Sequence, residues 1–218
     1  MKQKKMKIPN YDPGFSKSNY KQGHPCMPAD FFRMLICGSS NSGKTNILLH
    51  MLYELLEFDK IYLFSKNLHQ NKYQALLQDF AERINPKVGY EVIEANGDEI
   101  IPLEELPVDN QNIVVFDLVC ESNQNSIINY FINGRHRNCC VIYLSQTFYK
   151  VPKDIRLNCS HLCIFKLDRK EKNRIANEID VKLDTLNRAT DEEYSFLYYD
   201  KPKKSIKKIL MKIYNGVY

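Results

Sequence analysis

The chain alternates short apolar runs with stretches whose apolar residues recur at helical spacing. The runs are Arg33–Cys37, Ile61–Phe64, Val88–Ile93, Ile113–Phe116 with Asp117 at its end, Cys139–Leu144, His161–Leu167 and Glu193–Tyr199. Near-continuous apolar runs of this length, bounded by polar residues, predict strands buried on both faces. Between them, Lys44–Leu56 places Ile47, Leu48, Met51, Leu52, Leu55 and Leu56 on one helical stripe. Tyr73–Ile84, which Pro86 stops, Ser126–Ile132 and Glu171–Ile179 read as further helices. The alternation predicts an α/β fold: a mostly parallel central sheet with helices on both faces. Residues 1–30 carry Pro9, Pro13, Pro25 and Pro28 and predict an extended basic N-terminal arm. Residues 31–200 predict the folded domain, and residues 201–218 a Lys-rich C-terminal tail.

Ligands of such sheets bind at the carboxyl ends of the strands, and three of those ends carry chemistry. After Arg33–Cys37 comes Gly38-Ser39-Ser40-Asn41-Ser42-Gly43-Lys44-Thr45, then a helix. This is G-x-x-x-x-G-K-[ST] between a strand and a helix, the setting a phosphate-binding loop requires. The glycines let consecutive backbone N–H groups turn toward phosphate oxygens, and the helix start adds partial positive charge. Lys44 would reach the β- and γ-phosphates of ATP and the Thr45 hydroxyl would ligate Mg²⁺. Asp117 closes its apolar strand as a metal-orienting carboxylate does; the plainer reading is a turn aspartate. Leu118, Val119 and Cys120 follow it, so the first carboxylate able to reach back as general base is Glu121. Gln146, just after Cys139–Leu144, suits a sensor of the γ-phosphate and the attacking water, or is a loop amide without a role. Arg135 and Arg137, in the polar loop Asn133–Asn138, could stabilise transition-state charge in a neighbouring subunit. Arg156 is a further candidate. Each arginine alone reads equally well as a solvated or nucleic-acid-facing cation. His136 reads as structural.

Composition narrows the partners. A hydrophobic share of 44% and a charged share of 26% are ordinary for a globular protein. No apolar run approaches the length of a membrane span, and the basic start Met1–Lys7 has no apolar stretch behind it, so no signal peptide and no membrane partner are expected. The 7 cysteines fit neither a disulfide framework nor a metal-ligand spacing, which favours a reducing compartment. The net charge of +5 is concentrated at the ends: Lys2, Lys4, Lys5, Lys7, Lys17 and Lys21, then Lys201, Lys203, Lys204, Lys207, Lys208 and Lys212. Basic ends on a balanced middle point to a polyanion such as nucleic acid, or serve solubility alone.

These residues together carry a resemblance. Gly38–Thr45, Ile61–Ser65, Val114–Asp117, Gly134-Arg135-His136-Arg137-Asn138, Leu144-Ser145-Gln146 and Ile155–Asn158 resemble the genome-packaging ATPases of large DNA viruses, virophages and Polinton-type elements, within the FtsK–HerA superfamily of P-loop motors. The short length looks most like a virophage member. The resemblance implies a RecA/FtsK-like three-layer P-loop domain over residues 31–200. It implies a homo-oligomeric ring, pentamer or hexamer, that hydrolyses ATP with Mg²⁺ and drives double-stranded DNA into a preformed capsid. A capsid or portal protein would be its partner, and the cytoplasm of the infected host cell (the viral factory) or the virion its location. Lys44, Thr45 and Asp117 match the nucleotide and metal positions, Gln146 the sensor, and Arg135 or Arg137 the finger region. Leu118 departs from the family, where a second acidic residue usually stands. That departure supports an alternative: a nucleotide-binding structural or regulatory protein with little hydrolysis.

Overall fold

The computed structural model describes residues 20–66, 68–69, 71–82, 89–94, 100–117 and 124–211. Leu118, Val119, Cys120, Glu121, the lysines from Lys2 to Lys17, and Lys212 lie outside the described residues.

The strands are β1 (Arg33–Cys37), β2 (Lys60–Ser65), β3 (Gly89–Glu94), β4 (Asn112–Asp117), β5 (Cys139–Ser145), β6 (His161–Ile164), β7 (Ser195–Asp200) and β8 (Ser205–Leu210). They form one sheet in the order β3-β2-β4-β5-β1-β6-β7-β8. Every pairing from β3 to β6 is parallel, and the last two strands run antiparallel. The helices are α1 (Lys44–His50), continued by a wider turn over Met51–Leu55, α2 (Asn71–Glu82), α3 (Asn125–Asn133), α4 (Lys153–Asn158), α5 (Arg169–Glu178) and α6 (Leu183–Ala189).

The apolar runs of β1, β2, β4 and β5 become strands buried on both faces because successive side chains point to opposite sides. Leu35, Tyr62, Phe64, Val114, Phe116, Val141 and Tyr143 face one side, packed with Ile127, Tyr130 and Phe131 of α3, Ile155 of α4, Ile175 of α5 and Leu186 of α6. Met34, Ile36, Ile61, Leu63, Ile113, Val115, Ile142 and Leu144 face the other, under Ile47 and Leu48 of α1, Met51 and Leu52 beyond it, and Tyr73 and Leu76 of α2. Burying each large apolar side chain contributes about 1.5–3 kcal/mol, so the two layers fix the sheet between them. The expected parallel sheet with helices on both faces is the fold observed.

Three expectations change. The Lys-rich tail begins as an edge strand: β8 pairs with β7 from Ser195↔Leu210 to Asp200↔Ser205. Its lysines are exposed on the outer edge, a common guard against unwanted strand pairing, and so it has the look of a solvated tail in sequence. The end of the N-terminal arm packs onto the domain: the Lys21 N–H donates to Gln111 Oε1 at 2.7 Å and the His24 N–H to the Leu55 carbonyl at 3.0 Å, with Met27 buried. Helix α6 was not anticipated, because a 7-residue helix with Leu186 and Ala189 as its buried positions shows too little periodicity to read.

His161 opens β6, buried beside Asp200 of β7, with its Nε2 3.6 Å from Asp200 Oδ1. Burial, opposed by Asp200, holds the imidazole pKa down at about 4, so it is neutral in the fold. The unfolded chain regains a value near 6.5 and binds the proton first. Stability from this group is therefore complete above pH 6.5 and is lost as the pH falls toward 4. Denaturant titrations should show stability falling as the pH drops from 7 to 5, and His161→Gln should flatten that limb.

Candidate nucleotide site

The loop Gly38–Thr45 crosses from β1 to α1 at the carboxyl edge of the sheet. Its near end is pinned by backbone bonds: the Gly38 N–H donates to the Ser145 carbonyl at 3.1 Å and the Ser39 N–H to the Lys166 carbonyl at 3.1 Å. That clamp leaves no room for a side chain at Gly38, where an added Cβ would stand 2.5 Å from Phe165 Cβ and 2.7 Å from Ser42 Oγ. At the far end Gly43 has φ +101°, a conformation that glycine adopts without strain. Between them Lys44 Nζ bends over the loop and donates to the Gly38 and Ser39 carbonyls, each at 2.8 Å. Ser42 Oγ is buried without a hydrogen-bond partner among the described residues. A cradle with a cation at its mouth and an orphaned hydroxyl in its wall is built for an oxyanion.

Asp117 ends β4, in register with Ser65 at the end of β2. The Tyr73 hydroxyl of α2 donates to Asp117 Oδ2 at 2.5 Å and is also hydrogen-bonded to the Thr45 side chain. One buried hydroxyl therefore stands between the two residues expected to ligate Mg²⁺. Burial raises the Asp117 pKa from its ordinary value, while the Tyr73 bond and Lys44 hold it down. Burial lowers that of Lys44, against the pull of Cys37 and Asp117. Burial and Asp117 push the Tyr73 phenol far up, so it stays a donor. Two hard oxygen donors held a hydroxyl's span apart, with a lysine close by, are the donor chemistry that Mg²⁺ takes. Among the described residues no cluster of three or more His, Cys, Asp or Glu offers an all-protein metal cage.

Strand β5 lies between β4 and β1. Its last residue, Ser145, pairs with Cys37, and Phe116 pairs with Tyr143. Gln146, the next residue and exposed, thus sits on the edge between Asp117 and the loop. The order loop strand, inserted strand, acidic strand brings Gly38–Thr45, Gln146 and Asp117 together from three separate parts of the sequence.

The arginines lie elsewhere. Arg135 and Arg137 occupy the 3₁₀ turn Gly134–Arg137 that precedes β5, hence at the opposite end of the sheet from Lys44. The length of β5 separates the two ends, roughly 20 Å. Arg137 does not point outward as a finger would: it donates to the Glu104 carbonyl and, at 3.0 Å, to the Leu106 carbonyl, bracketing the Leu103–Glu105 turn. Arg135 is exposed. Arg156 is buried, pairs with Glu178, donates from Nε to the Val151 carbonyl at 3.0 Å and lies over the Phe148 and Tyr149 rings. These contacts make it a core clasp. Tyr73 is the site residue that sequence reading missed: its place in an amphipathic stretch marks it as core, and nothing local shows that its hydroxyl reaches Asp117.

Known proteins resemble this chain in sequence and in fold. The family model described as Poxvirus A32 protein matches residues 24–190. The DNA packaging protein OPG160 of Monkeypox virus is 28% identical over 162 residues, covering 69% of this chain and 53% of the relative. For OPG160 of Vaccinia virus (strain Copenhagen) the figures are 28% identity, 69% of this chain and 59% of the relative. The chain thus spans little more than half the length of these relatives. Among solved structures, the genome packaging NTPase B204 of Sulfolobus turreted icosahedral virus 2, in complex with AMPPCP, superposes with a TM-score of 0.57 at 15% identity, over 84% of this chain and 98% of that one. B204 described as the DNA-packaging ATPase of Sulfolobus Turreted Icosahedral Virus gives 0.57 at 16%, over 83% and 98%. The chain shares its fold with B204.

Proposed function

The chain belongs to the Poxvirus A32 protein family, and from that premise we propose that it is an ATP-driven motor that moves double-stranded DNA into a preformed viral capsid. The reading rests on one observation above all: the loop, Gln146 and Asp117 meet on three neighbouring strand ends. ATP would lie along Gly38–Thr45, with the loop amides and Lys44 on its phosphates. Lys44 would leave the Gly38 and Ser39 carbonyls and turn to the β- and γ-phosphate oxygens. Thr45 and Asp117 would hold Mg²⁺, which supplies charge neutralisation on the phosphates when bound. Gln146 would orient the attacking water and report on the γ-phosphate. Glu121 is the proposed general base.

The packaging roles of the poxvirus relatives, each a DNA packaging protein, and of B204, a genome packaging NTPase, support DNA as the polymer moved, and we take it to be double-stranded. We assign the work to a homo-oligomeric ring of five or six copies, docked on a capsid or portal protein in the infected cell's cytoplasm. Among the described residues no helix is long and apolar enough to cross a membrane. Arg135, exposed at the far end of the sheet, could serve only a neighbouring copy's nucleotide, and it replaces Arg137 as the preferred finger. The motor domain would run from residue 20 through β8 rather than ending at 200.

Leu118 favours a second reading, nucleotide binding without turnover. Phosphate release from ATP and Mg²⁺ by the purified, assembled chain separates the two. Steady release that Glu121→Gln suppresses supports the motor; tight ATP binding with no release supports the binder.

A further inference from the structure

A triphosphate along Gly38–Thr45 with its reactive end toward Asp117 and Gln146 points at β4 and β5. The nucleoside at its other end must then leave across the opposite side of β1, over β6, β7 and β8. On that side the open end of the β7–β8 hairpin leans on the loop. A Cβ added at Gly43 would stand 2.7 Å from Met211 Cε and 3.2 Å from Tyr194 Cδ1. Met211 directly follows β8, Tyr194 directly precedes β7, and the Met211 N–H donates to the Tyr194 carbonyl at 3.2 Å. Both side chains are half-exposed.

Tyr194 has φ +58°, the left-handed region that a bulky residue enters only when its surroundings hold it there. The turn before it is fixed, with the Ser195 N–H and hydroxyl both donating to the Glu192 carbonyl at 3.2 and 2.7 Å. The Tyr194 hydroxyl is hydrogen-bonded to Glu193. The backbone thus bears strain to place an aromatic ring and a thioether beside the phosphate loop, on the side the base must take. Neither has a part in phosphate or metal chemistry. A flat ring beside a polarizable methyl-thioether is suited to the π-face of a base.

We propose that Tyr194 and Met211 form the platform on which the purine base of the bound nucleotide stacks, so that the outer hairpin reads the base while the loop reads the phosphates. The proposal rests on the loop being the triphosphate site. In this arrangement the hairpin is tied to nucleotide occupancy, since both its ends meet Gly43.

Calorimetric titration of the full chain with ATP and, separately, with inorganic tripolyphosphate tests it. Tyr194→Ala should weaken ATP about tenfold and leave tripolyphosphate unchanged, while Tyr194→Phe keeps both affinities. Lys44→Ala should weaken both ligands. Equal weakening of both by Tyr194→Ala would overturn the platform and make Tyr194 a support of the loop; so would ATP affinity indifferent to the substitution. Failure of the wild-type chain to bind tripolyphosphate at all would overturn the phosphate-site reading beneath it.

Discussion

Lys44→Ala should reduce ATP turnover to the level of buffer and weaken nucleotide binding by at least tenfold. In the described structure its ammonium bridges the Gly38 and Ser39 carbonyls at the mouth of the loop, 2.8 Å from each. Charge-assisted bonds of this kind contribute roughly 1.5–3 kcal/mol each, and they would pass from carbonyls to phosphates when ATP binds. Alanine removes a cation drawn to Asp117 and leaves the loop with only its backbone dipoles to meet the developing phosphate charge. The fold should survive, because Lys44 lies on the first turn of α1 and its head group bonds to loop carbonyls rather than within the core. A phosphate-release assay together with an unchanged thermal transition would separate the two effects. Substantial residual turnover would move the active site away from this loop.

Asp117→Asn is the second large effect. The carboxylate sits where β4 ends, bonded to the Tyr73 hydroxyl and close to Lys44. Burial raises its pKa and therefore opposes its charge, so the site bears a cost for keeping an anion there, which Tyr73 and Lys44 offset. Asparagine keeps the shape and the bond from Tyr73 but removes the charge. Turnover should fall by about 10²-fold or more, in the range seen when one electrostatic partner of a transition state is removed. ATP affinity measured without Mg²⁺ should change little, and the increase in affinity that Mg²⁺ brings should be lost. An Mg²⁺ dependence identical to wild type would show that Asp117 is a strand-ending turn residue and nothing more.

How much of this was legible in the sequence follows from how local each cause is. Gly38–Thr45 is read directly, since its conformation and its ligand are set by adjacent residues. The apolar runs of β1, β2, β4 and β5 are equally plain, because burial on both faces leaves no polar position in their interiors. That Asp117, Gln146 and the loop stand at strand ends could be anticipated, and the order β4-β5-β1 makes those strand ends neighbours. The arginines could not be sorted this way. Arg137 and Arg156 are claimed by partners distant in sequence, the Glu104 and Leu106 carbonyls and the Glu178 carboxylate, which no spacing rule reveals. Strand β8 was hidden for a different reason. Its exposed lysines serve an edge, and in sequence an edge strand of that composition looks like a tail. Tyr73 and Tyr194 share one lesson: an aromatic residue read simply as part of a helix or a strand can owe its place to the atom at its tip or to a strained backbone.

The motor reading requires that polymer and nucleotide be coupled through one machine. The direct measurement is steady-state phosphate release by the full, assembled chain at saturating ATP and Mg²⁺, with linear duplex DNA added over a range of salt. Turnover several times faster with DNA, falling back as salt screens the phosphate contacts and absent in Lys44→Ala, is the expected result. Turnover that ignores duplex DNA at every salt concentration, or none in either condition, would contradict it.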